Sequence, residues 1–182
     1  MAIYGLKTRY ALSSPKAEEW KMFRKILYPT DFSDCAVKAL GYVKKLKEAG
    51  AEEVVLVYVI DVREMATMAT GVAGFGETPV TYDYEVQEMM IANVKKKLEE
   101  VKREIETEGL KVHVKMPEGV PRKEILKTAE EEDVSLILLG SHGKSNLKEM
   151  LLGSVSEKVI RDSKRPVLVV KRDESAQKSV DF

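Results

Sequence analysis

A single cysteine, Cys35, stands among 182 residues. No internal disulfide can form, and a reducing compartment, the cytoplasm, is the natural setting. No stretch approaches the roughly 20 apolar residues that a bilayer-spanning helix needs. The opening Met1-Ala2-Ile3-Tyr4-Gly5-Leu6-Lys7 also lacks the apolar core of a secretion signal, so no membrane partner is expected. Neither sign of charge is in surplus: 30 basic residues balance 30 acidic ones. A nucleic-acid binder would carry a basic excess, which excludes that class. Only His113 and His142 represent histidine, far apart and without a cysteine or carboxylate cluster, so no zinc site is expected. His142 is read as a solvent-side loop residue.

What is present is an ordinary globular composition, 44% hydrophobic, enough for one core without metal or disulfide support. Residues 1–21, with scattered aromatics and no steady period, read as an appended leader. Residues 22–172 read as the folded domain and 173–182 as a tail. Within the domain, short continuous apolar runs occur at Lys25–Tyr28, Val54–Ile60, Lys111–Lys115, Val134–Leu139 and Val167–Val170. Such runs suit strands buried on both faces. Between them lie amphipathic helices. One presents Ala36, Leu40, Val43 and Leu46 before Gly50. A second, over about 82–108, presents Val86, Met90, Val94, Leu98, Val101 and Ile105 before Gly109. A third opens at Pro121 and buries Ile125 and Ala129, and a fourth opens at Gly153-Ser154. Alternating strands and helices predict an α/β fold, an open parallel sheet with helices on both faces. The long connection over 61–81, with several glycines and methionines, has the length of a lid or interaction segment.

In such a sheet, ligands bind beyond the carboxyl ends of the strands, where the strand order reverses. Three segments therefore carry the candidates: Pro29-Thr30-Asp31-Phe32-Ser33 after the first strand, Val59-Ile60-Asp61 after the second, and Leu139-Gly140-Ser141-His142-Gly143 after the fourth. Gly140 and Gly143 enclose two residues, nine more follow, and Gly153-Ser154-Val155-Ser156 then opens a helix. Glycines admit backbone amides to a ligand, and a helix start adds unpaired N–H groups with positive partial charge, so this spacing suits phosphate. The plainer reading makes Gly140 a strand end, Gly143 a turn residue and Ser154 a helix cap. Position favours the phosphate reading, because the cluster faces the same crevice as Asp31. Asp31 reads either as a turn residue or as a carboxylate for ribose hydroxyls or a metal-bound water. Direct contact with a triphosphate would repel unless Mg²⁺ or Mn²⁺ intervened. A Walker loop is excluded because Leu138 stands where that motif needs glycine. Cys35, on a first helical turn, either has a lowered pKa or fills a small buried apolar position, the commoner role.

Tyr28-Pro29-Thr30-Asp31-Phe32-Ser33, His142 within Gly140-Ser141-His142-Gly143, and the later Gly153-Ser154 together resemble the universal stress protein family. The glycine spacing is that of its ATP-binding subclass, and archaeal members are the nearest in character. The resemblance implies strand order 3-2-1-4-5 and a homodimer through the last strand, Pro166 to Lys171. It implies that Val59 meets adenine, that Asp31 and Gly140 flank ribose, and that Gly143, Gly153, Ser154, Val155 and Ser156 cradle phosphates. The function it implies is an ATP-dependent switch in a stress response, acting on a signalling partner that the sequence does not identify. No general base or arginine finger is placed for fast hydrolysis. Two other classes compete. An enzyme of a related nucleotide-hydrolysing or adenylating class would place a Ser-Gly-Gly-type loop after the first strand, where Pro29-Thr30-Asp31 stands. A nucleotide-free dimeric scaffold would not need the glycine spacing.

Overall fold

Apolar side chains on successive residues of a strand point to opposite faces, so a continuous apolar run demands a cover on each side. The computed structural model, which describes residues 23–65, 84–143 and 152–172, supplies both covers. Five strands, β1 (Lys25–Pro29), β2 (Glu53–Val57), β4 (Lys111–Lys115), β6 (Leu136–Gly140) and β7 (Val167–Val170), form one sheet of order β4-β2-β1-β6-β7. Each neighbouring pair in that sheet is parallel. Counting these five alone, the order is 3-2-1-4-5. Chain numbering differs because a second ribbon of two residues per strand, β3 (Ile60–Asp61) with β5 (Glu118–Gly119), lies apart from the main sheet. Nothing in the apolar pattern announced it; the run read as Val54–Ile60 is in fact β2, a break, and β3.

Alternation along the strands sorts the core into two layers. Ile26, Tyr28, Val54, Leu56, Leu136 and Leu138 face α1 (Asp34–Leu46) and α2 (Tyr84–Glu106). Leu27, Val55, Val57, Ile137 and Leu139 face α3 (Pro121–Glu131) and α4 (Ser154–Asp162). Each such side chain, taken fully out of water, contributes about 1.5–3 kcal/mol before entropy is charged against it. Ser33 caps α1 by accepting from the Ala36 amide, and Gly50, at φ 96°, lets the chain turn out of the helix region. Pro121 occupies the first turn of α3, where no N–H is missed.

The stripe on α2 only partly reaches the core. Leu98 and Ile105 are buried and Val94 and Val101 pack beside them, but Val86 and Met90 are exposed. A 23-residue helix runs to roughly 34 Å, about twice the length of a five-residue strand, so its first turns pass beyond the sheet. The leader at 1–21, the tail at 173–182 and the 66–81 part of the long connection lie outside the described residues. Among the described residues, no helix is long and apolar enough to cross a membrane.

Candidate functional site

At the carboxyl edge of the sheet, β1 and β6 part at the point where the chain's crossovers go to opposite faces, and a cleft opens between them. Its volume is about 270 Å³. β1 brings Pro29, Thr30 and Asp31 to it; the residue pair after β2 brings Tyr58 and Val59; β6 brings Leu139 and Gly140, followed by His142 and Gly143. The start of α4 adds Gly153, Ser154, Val155 and Ser156. Every residue to which the sequence reading gave a nucleotide contact lines this cleft.

The three glycines do different work. A Cβ on Gly143 would stand 2.6 Å from Asp31 Oδ2, so glycine there lets the loop pass directly in front of the carboxylate. A Cβ on Gly153 would come within 3.3 Å of His142 Cα and Ser141 O, a tight fit between the loop and α4. Gly140 differs from expectation. A Cβ there would meet the backbone of Cys35 at 2.7 Å and the amide of Ala36 at 2.9 Å. Its bare α-carbon therefore lets α1 press onto β6, and close helix–strand packing is what it secures.

The α4 terminus is open in the sense a ligand site requires. Gly153 is the cap residue and offers no side-chain acceptor. Its own amide donates to Ser141 O at 2.8 Å, which ties the loop to the helix. Ser154 is consequently the first helical residue and not the cap. The amides of Ser154 and Val155 have no intrahelical acceptor by helix geometry, and they carry the positive end of the helix dipole. Ser156 has a structural role as well: its buried hydroxyl donates to Gly140 O at 2.9 Å, which ties the helix start to the end of β6.

Asp31 makes the turn that one reading gave it. Ser33 N–H donates to Asp31 Oδ1 at 3.0 Å, a side-chain turn, while Oδ2 is the atom that faces Gly143. His142 is half-buried in the cleft wall and not simply solvent-side; its Nδ1 shares a 2.9 Å hydrogen bond with the buried Ser141 hydroxyl. Ser33 Oγ donates to His142 O at 3.3 Å, bridging the β1–α1 turn to the glycine loop. Cys35 is buried, its Sγ 3.9 Å from Ser141 Oγ, which agrees with the apolar-filler role. Tyr28 supports the same corner: its hydroxyl donates to Ala36 O at 2.7 Å, and burial pushes its phenol well above the usual range.

Of the far wall, made of Tyr58, Asp61, Arg63, Glu64, Pro121 and Ile125, sequence reasoning singled out Asp61 alone as a site candidate. Arg63 grips Asp61 through Nε at 2.9 Å and Nη2 at 2.6 Å, and this fork holds the Asp61 carboxyl below its ordinary range. The β3–β5 ribbon carries this wall, joining Asp61 to Gly119 just ahead of Pro121. Among the described residues no group of three His, Cys, Asp or Glu side chains is arranged to hold a metal ion.

The model of the Universal stress protein family matches residues 22–171. The chain belongs to the universal stress protein family. It is 48% identical over 159 residues to a universal stress protein of Methanocaldococcus jannaschii, covering 85% of this chain and 98% of that one. A universal stress protein of Bacillus subtilis is 36% identical over 150 residues, covering 82% of this chain and all (100%) of that one. Among solved structures, the Methanocaldococcus jannaschii protein superposes with a TM-score of 0.73 at 46% identity, covering 84% of this chain and 99% of that one.

Proposed function

We propose that this family member binds ATP in the cleft between β1 and β6 and works as a nucleotide-dependent switch with at most slow hydrolysis. The observation that carries the reading is the close approach of Asp31 and Gly143 in the wall of one cleft, beside a helix start capped only by glycine. A carboxylate facing the sugar and open amides facing the anion are complementary to a nucleotide and to little else of that size. Two more distant universal stress proteins support it: one at 20% identity was solved in complex with cAMP, and one from Archaeoglobus fulgidus at 22% identity with dAMP. In this reading Val59 meets adenine, Asp31 the ribose, and Gly143, Gly153, Ser154 and Val155 the phosphates, with Pro29, Thr30, Leu139 and Gly140 shaping the walls.

Mg²⁺ or Mn²⁺ would enter bound to phosphate oxygens and reach Asp31 through a water, since the described residues of the cleft offer no ligand cluster of their own. The setting we propose is the cytoplasm, in a stress response, with ATP occupancy altering the surface shown to a signalling partner. Calorimetry on nucleotide-free protein with ATP and Mg²⁺ tests the site: saturable 1:1 binding is expected, and a flat titration removes the proposal. We also propose a homodimer through the span Pro166 to Lys171. β7 is an edge strand with Leu168 38% exposed, and an apolar edge invites pairing with a second copy. Sedimentation should find a dimer that Leu168→Arg converts to monomer; a wild-type monomer at micromolar concentration refutes it.

A further inference from the structure

Phe32 is one of the non-glycine residues in the left-handed region, at φ 61°. For a bulky side chain this conformation is uncommon, and it persists only where the surroundings hold it. Those surroundings are visible. The Phe32 ring stacks on Tyr58 with centroids 5.3 Å apart and planes at 24°. Lys97, from α2, stands over the same ring at 5.5 Å, a cation–π contact. The Phe32 amide donates to Thr30 Oγ1 at 3.1 Å, which closes the turn from the other side.

The reversal at residue 32 has a direct consequence one residue earlier. It brings the Ser33 amide back to Asp31 Oδ1, and with that oxygen engaged, Oδ2 lies close beside Gly143 in the cleft wall. Tyr58 belongs to both structures at once, lining the cleft and supporting the Phe32 ring. We infer that the Phe32–Tyr58 stack, closed by Lys97, is the device that positions Asp31, and that through Asp31 it sets the site's preference for a sugar bearing free hydroxyls. Phe32 is thus a positioning residue acting through its neighbour. This rests on the nucleotide reading above, with the sugar facing Asp31. A glycine at position 32 would adopt the same φ without strain but would hold it no more firmly than other values. The aromatic ring converts an accessible conformation into a fixed one.

The test uses the full chain, freed of nucleotide, and calorimetric titration with ATP, 2′-deoxy-ATP and 3′-deoxy-ATP. Wild type should prefer ATP to at least one deoxy analogue by about tenfold or more, the value of a hydrogen bond to a charged group. Phe32→Ala and Phe32→Gly should lower ATP affinity by about tenfold and shrink that preference to within about twofold, matching Asp31→Ala. Phe32→Tyr, which keeps the ring, should restore both. A Phe32→Ala protein that keeps the wild-type preference, or one that loses ATP and the analogues in equal proportion, overturns the inference while leaving nucleotide binding intact. Wild-type protein that binds none of the three overturns the nucleotide reading itself.

Discussion

The two ends of the β1–β6 pair use the same polar chemistry to opposite effect. At the amino end, Ser135 Oγ accepts from Lys25 N–H at 3.1 Å and donates to Lys25 O at 2.8 Å, clipping the strands together. Beside it Glu132 takes Lys25 at 2.7 Å and Lys115 at 2.6 Å, and these two hydrogen-bonded cations hold its carboxyl at about 2. At the carboxyl end, Asp31 faces a bare glycine, and α4 begins without a side-chain cap. One end spends its polar groups on itself and gains stability. The other keeps helix-terminal amides uncommitted, and uncommitted donors beside a cleft are what an anion binds.

The sharpest way to break this contrast is to fill the carboxyl end. Gly143→Val should reduce ATP affinity by about 100-fold or more, because the new side chain occupies the space before Asp31 Oδ2. Its melting temperature should stay close to wild type, so retained ATP binding in a calorimeter would contradict the arrangement. This is a cleaner probe than Gly153, where a side chain also presses on the Ser141–His142 backbone. Next in size is Gly140→Ala, whose added carbon meets α1 backbone that cannot rotate away. A loss of about 2 kcal/mol, or roughly 4–8 °C in melting temperature, is expected. An unchanged melting curve would mean that α1 does not rest on β6.

The smallest effect belongs to the amino end. Glu132 has a folded pKa of about 2 against an ordinary 4.5, so the unfolded chain binds the proton more readily. Its contribution is therefore complete above about pH 4.5 and drains away as pH falls toward 2. Glu132→Gln should cost about 1 kcal/mol at pH 7, discounted for a side chain that still touches water, and progressively less in acid. Urea midpoints for both proteins at pH 7 and pH 3 check this; a difference that stays constant would assign the network no linkage role.

Much of the scaffold was legible because its signals are local. Continuous apolar runs located four of the five long strands within two residues, the run Val54–Ile60 overshooting β2 by three, and Ser33, Gly50 and Pro121 mark helix ends by their own local chemistry. The glycine spacing likewise marked residues that line the cleft. Roles within that set were another matter. Gly140 and Ser156 read as ligand contacts, and each also has a packing role the sequence did not show, Gly140 against Cys35 of α1 and Ser156 hydrogen-bonded to Gly140 O, both set by residues distant in the chain. Val86 and Met90 carry the right period but lie where the sheet has ended.

By itself, then, the order of residues determined the layered α/β architecture, the helix boundaries and the phosphate-like loop, since each follows from period, capping and conformational freedom within a short span. Only the folded molecule decided which amides stay open, that Arg63 and Tyr58 share the cleft, and that Phe32 is held in a left-handed turn. Those are matters of who meets whom across the chain, and contact between distant segments leaves no periodic trace in either of them.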